Sequence, residues 1–163
     1  MRVSIGGDHA GPALKKVLIT YLESQDIEVI NRGTDSEESV DYPDHAHAVS
    51  EDVASASADF GILICGSANG VAMTANKHQS VRAGLAWNSE VAKLVKQHNN
   101  ANVLCIPARF VTKAEGLDIL KAYMEEEFEG GRHERRVNKI ACAVILCLLS
   151  LVPSLQALAQ LDN

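Results

Sequence analysis

Five short runs rich in Val, Ile and Leu punctuate the chain at 3–6, 28–31, 60–64, 83–87 and 103–106, without the polar alternation of a half-exposed strand. Strands that read this way belong to a parallel sheet covered on both faces. Segments of helical spacing lie between them, near 12–24, 43–57, 68–77, 89–98 and 112–128. In the first, Leu14, Val17, Leu18, Tyr21 and Leu22 share one face, and Asn88 or Ser89 is placed to cap the fourth. Strict alternation of strand and helix predicts one α/β domain over 1–163, a doubly wound five-stranded parallel sheet with helices on both faces. The 163 residues suit a single domain, and 47% hydrophobic content supplies a core, which excludes a disordered chain and a disulfide-stapled mini-protein.

A net charge of −6 argues against a general nucleic-acid binder, whose phosphate contacts need massed Lys and Arg. The acidity is uneven: Arg132, Arg135, Arg136 and Lys139 form a basic knot late in the chain. The four cysteines, Cys65, Cys105, Cys142 and Cys147, have neither CxxC pairing nor metal-site spacing, so reduced thiols in a cytoplasmic protein are expected. The chain enters a strand pattern at residue 2, so no signal peptide is expected. Residues 140–161 carry no formal charge, but Ser150, Pro153, Ser154, Gln156 and Gln160 break up the second half. A membrane-spanning helix needs about 20 predominantly apolar residues. The expectation for 140–163 is therefore an apolar C-terminal helix packed on the domain or on a partner subunit, not a membrane anchor.

In doubly wound folds ligands bind beyond the carboxyl ends of the strands. Two of the loops there are rich in glycine and reactive groups. Cys65-Gly66-Ser67-Ala68-Asn69-Gly70 joins a buried strand to a helix, where free amides favour an anion and lower the pKa of a thiol. Cys65 is either such a functional thiol or a small core residue. Gly7-Asp8-His9-Ala10-Gly11 follows the first strand and matches neither a P-loop nor a dinucleotide fingerprint. Its Asp-His pair suits recognition of a hydroxyl and a phosphate, and equally a helix cap. His45-Ala46-His47 lacks a third metal ligand. His98-Asn99 ends the fourth helix, and His78 and His133 have no distinguishing context. Arg132 and Arg136 stand four apart, so on a helix they share a face and can grip one phosphate, with a solvated helix start as the alternative.

Taken in order, these segments resemble the ribose-5-phosphate isomerase B family, which includes the galactose-6-phosphate isomerase subunits. The residues that carry the likeness are Gly7-Asp8-His9-Ala10-Gly11, Asp41-Tyr42-Pro43-Asp44, Gly61 to Ser67, Ala75-Asn76-Lys77, Arg82-Ala83, His98-Asn99 with Ala101 to Leu104, Phe128 to His133, and Arg136-Val137. The resemblance covers roughly residues 1–140. It implies a Rossmann-like fold and aldose–ketose isomerisation of ribose 5-phosphate and ribulose 5-phosphate through an enediolate, with no metal and no cofactor. It also implies a homodimer, or a tetramer, whose active sites are built from both subunits.

Carried over by position, the resemblance makes Cys65 the general base, Ser67 the hydroxyl beside the reacting carbons and His98 the ring-opening histidine. The amides of Gly66, Ala68, Asn69 and Gly70 would hold the enediolate oxygen, and Asp8 and Asn99 the sugar hydroxyls, with Tyr42 nearby. His9, Arg132 and Arg136 would hold the phosphate, with Arg109 as a further candidate; Arg135 faces elsewhere on a helix and is expected to be dispensable. Ala68 stands where the family commonly has glycine, so a positive φ there would cost of order 1 kcal/mol. A six-carbon sugar phosphate, such as allose or galactose 6-phosphate, is the alternative substrate. A non-catalytic phosphosugar-binding subunit is the alternative of another class.

Overall fold

A computed structural model describes residues 1–141. The expected helix at 140–163, with Cys142 and Cys147, therefore lies almost wholly outside the described residues. The chain runs β1 (Arg2–Gly7), α1 (Pro12–Ser24), β2 (Glu28–Asn31), α2 (Tyr42–Ala54), β3 (Phe60–Cys65), α3 (Asn69–Ala75), β4 (Ala83–Leu85), α4 (Ser89–Asn99), β5 (Val103–Pro107), α5 (Lys113–Met124) and α6 (Arg132–Val137). All strand pairs are parallel, in the order β2-β1-β3-β5-β4. The expected α/β architecture is present.

Period-two alternation distributes each strand between two cores. Val3, Ile5, Ile62, Ile64, Leu104 and Ile106 pack with Leu14, Leu18 and Leu22 of α1 and Ile119, Leu120 and Tyr123 of α5. Leu63, Cys65, Val103 and Cys105 face the other way, onto Ala46 and Val49 of α2 and Val71 and Ala75 of α3. Each fully buried aliphatic side chain stabilises the fold by roughly 1.5–3 kcal/mol, which fixes the register of the central strands. Beneath α2, Ser4 donates to Asp52 (2.7 Å), and Arg32 closes a bidentate pair on the same carboxylate at 2.8 Å. That pair holds the Asp52 carboxyl below its ordinary range, through the Arg32 hydrogen bond first.

Several boundaries differ from the periodic pattern: α2 ends at Ala54 instead of 57 and α3 at Ala75 instead of 77, and β4 and α5 are also shorter. β4 ends at Leu85 and leaves Trp87 half exposed, because β4 is an edge strand with a neighbour on one side only. α5 stops at Met124 instead of continuing to 128. The segment beyond it is drawn off along α4: Gln97 donates to the Glu126 carboxylate (2.6 Å), Lys93 pairs with it (3.3 Å), and the Glu129 amide donates to the Gln97 carbonyl (3.0 Å). Gly130 and Gly131, at φ +66° and +56°, then turn the chain into α6, a conformation that side chains other than glycine resist. Among the described residues no helix is long and apolar enough to cross a membrane.

Candidate active site

β1 and β3 are adjacent, but their following strands lie on opposite sides, so the switch point of the sheet falls between their carboxyl ends. Asp8, His9, Cys65, Gly66, Ser67, Arg109 and Phe110 line a cleft of about 460 Å³ there. Pairing with β5 continues past the strand ends: the Ala108 amide donates to the Cys65 carbonyl (2.9 Å) and the Arg109 amide to the Gly66 carbonyl (3.1 Å). These bonds fix the Cys65 loop and bring the Arg109 side chain over Gly66. Tyr42 opens α2 and lays its ring against Gly70, where an added Cβ would meet the ring at 2.6 Å. A side chain at 70 would have to displace the Tyr42 ring.

The Cys65 thiol is nearly buried and donates to the Asp8 carboxylate at 2.9 Å, while the other oxygen of Asp8 accepts from the Ala10 amide (2.9 Å). Burial, then the Asp8 hydrogen bond and charge, push the Cys65 thiol up to about 11, although the amides of Ala68 and Gly66 pull the other way. The expected lowering by the loop amides is thus present but outweighed. The resting group near neutral pH is therefore a thiol. His9 Nδ1 is the one buried side-chain polar atom without a hydrogen-bond partner among the described residues. Such an orphan costs roughly 1–3 kcal/mol unless a ligand satisfies it. Ala68 adopts φ +58°, the left-handed conformation anticipated at this position, and Asn69 turns its amide back to the Ser67 carbonyl (3.4 Å).

The remaining expected residues lie elsewhere. α4 runs antiparallel to the strands, so His98 and Asn99 in its last turn sit at the amino edge of the sheet, beside the start of β5. Cys65 pairs with Pro107 at the far end of β5, four residues on. At about 3.3 Å per residue, with the flanking loops, the two groups are on the order of 15 Å apart or more. His98, Asn99, His133, Arg136 and Val137 line a second cleft of about 320 Å³ between α4 and α6. One chain therefore gathers Asp8, His9, Tyr42, Cys65 to Gly70 and Arg109 at one end, and His98, Asn99, Arg132 and Arg136 at the other.

His133, which lines the second cleft, and Glu129 beside it were not singled out by sequence reasoning. The His133 ring stacks on His98, with centroids 4.1 Å apart and planes within 6°. The Glu129 carboxylate lies 3.5 Å from His133 Nε2 and 3.8 Å from His98 Nε2. The run Phe128-Glu129-Gly130-Gly131-Arg132-His133 contained the signal, but only the fold brings it onto α4. The ligand atoms of His98, Glu129 and His133 lie within 4.8 Å of one another. A metal binds in the plane of an imidazole, and two parallel planes share no point, so this arrangement would have to unstack to hold an ion. His45 and His47 diverge: His45 Nδ1 donates to the Arg32 carbonyl (2.7 Å), and His47 pairs with His78 at 2.8 Å.

Residues 3–140 match the family model described as Ribose/Galactose Isomerase. Ribose-5-phosphate isomerase B of Escherichia coli is 39% identical over 139 residues, which span 85% of this chain and 93% of that protein. The crystal structure of a ribose 5-phosphate isomerase from Thermotoga maritima superposes with a TM-score of 0.83 at 43% identity, covering 86% of this chain and 97% of that one. Ribose-5-phosphate isomerase B of Mycoplasma genitalium, crystallised with bound ribulose-5-phosphate, gives 0.82 at 42% identity over 85% of this chain and 93% of that one. With both the fold and nearly the whole length of these relatives matched, the chain belongs to the ribose/galactose isomerase family.

Proposed function

We propose that the chain is an aldose–ketose isomerase that interconverts ribose 5-phosphate and ribulose 5-phosphate, with Cys65 as the base. The Cys65–Asp8 hydrogen bond at the switch point carries this reading. A proton α to a carbonyl is weakly acidic, so its removal needs a base, an oxyanion site and a fixed substrate acting together. Asp8 is placed to accept the thiol proton as the sugar enters, which leaves the pair with the same single negative charge and avoids burying a second one. The thiolate then takes the proton from C2 and returns it to C1, while the proton of the O2 hydroxyl passes to O1, so that the carbonyl moves from C1 to C2. In this reading the amides of Gly66 and Ala68, which face the sulfur, stabilise the enediolate oxygen as charge develops on it. Ser67 offers its hydroxyl beside the reacting oxygens, and Tyr42 walls the loop.

The same reading makes the working unit a homodimer. Ring opening by His98 and phosphate binding by Arg132 and Arg136 belong to one protomer, and Cys65 and His9 to its partner. The separation of the two clefts within one chain supports that division. Asn99 contacts sugar hydroxyls from the His98 side. The purified protein is expected to interconvert the two pentose phosphates in a coupled assay, with a higher kcat/KM for them than for six-carbon sugar phosphates. Cys65→Ala abolishes turnover while circular dichroism stays unchanged; an active Cys65→Ala enzyme refutes the assignment of the base.

A further inference from the structure

Ring opening moves one proton twice. A base takes it from the anomeric hydroxyl as C1–O1 becomes a carbonyl and the bond from C1 to the ring oxygen breaks. The same group then returns it to that oxygen. A single histidine can do both if one ring nitrogen is free and the other is held by a partner that stabilises the transient imidazolium.

The second cleft supplies such a partner. Arg132 Nε donates to His133 Nε2 at 3.2 Å, so that nitrogen is an acceptor and has no proton to offer the neighbouring Glu129. Burial, followed by the charges of His98 and Arg132, pulls His133 below its ordinary value and keeps it neutral. The ring nitrogen left to satisfy Glu129 is His98 Nε2, at 3.8 Å, a separation that a small side-chain rotation closes to a hydrogen bond. The Glu129 backbone is held against α4 by the bond from its amide to the Gln97 carbonyl, which keeps the carboxylate within reach of His98, and the His98 ring is stacked on His133. We propose that Glu129 is a positioning residue for ring opening: it holds the Nε2 proton of His98, leaves Nδ1 free to work on the sugar, and stabilises the imidazolium.

This inference rests on the reading of His98 as the ring-opening residue, and the test separates the two. The 4-deoxy analogue of ribose 5-phosphate lacks the ring oxygen and stays open-chain, so its isomerisation needs the Cys65 machinery alone. Glu129→Gln is expected to lower kcat on ribose 5-phosphate at least tenfold and to change kcat on the analogue less than twofold. Equal losses on both substrates would assign Glu129 a merely structural role, and no loss on ribose 5-phosphate would remove it from the reaction; either overturns the proposal. His98→Asn is measured alongside. If it spares ribose 5-phosphate, the underlying reading of His98 fails; if it does not while Glu129→Gln does, only the role of Glu129 fails.

Discussion

The thiol of Cys65 and the carboxylate of Asp8 are 57 residues apart in sequence and 2.9 Å apart in space. Their coupling makes a prediction at the scale of the residue. Alkylation of Cys65 by iodoacetamide should climb steadily with pH toward about 11, as the thiolate forms. Asp8→Asn removes the negative charge that favours the thiol and leaves only a neutral amide oxygen as acceptor, so the pKa falls and alkylation at pH 8 accelerates, roughly tenfold for each unit. Turnover should nonetheless drop, because an amide cannot take up the thiol proton. Slower alkylation in the variant, or undiminished turnover, would contradict the dyad. The sequence made Cys65 and Asp8 legible as members of strand-end loops, but not their contact, which depends on β1 and β3 being neighbours. Without that contact the loop amides alone set the expectation, and its sign was wrong for the thiol.

At the scale of the element, the loop into α3 stores a measurable strain. Ala68 is fully buried in the left-handed conformation. That conformation costs an L-residue roughly 1–2 kcal/mol. Ala68→Gly relieves it, gives up a methyl group worth about 0.8 kcal/mol, and adds about 0.5–1 kcal/mol of unfolded-state entropy. The terms nearly cancel. Urea denaturation should place the variant within about 1 kcal/mol of the parent, with activity kept; a loss above about 2 kcal/mol would mean that the loop depends on the methyl group. Elements were legible wherever local pattern and tertiary context agree, as in α1 and β3. They were misjudged where another element intervenes: α5 ends early because Lys93 and Gln97 of α4 engage Glu126. That same diversion brings Glu129 and His133 to His98, a contact that a helical pattern over 112–128 does not show.

At the scale of the whole molecule, an acidic chain handles an anionic substrate through local fields, and the basic knot resolves into parts. Arg136 lines the His98 cleft, Arg132 touches His133, and Arg135 is exposed with no part in the cleft. The proposed isomerase is complete only when the cleft at one end of a protomer meets the cleft at the other end of its partner. Complementation tests this directly. Cys65→Ala and His98→Asn homodimers, each crippled alone, are unfolded together and refolded as a mixture. Half of the dimers are then mixed, and each mixed dimer holds one site with both native residues, so activity should recover to about a quarter of the parent value. A mixture that refolds into dimers and stays as inactive as its components would contradict the shared site.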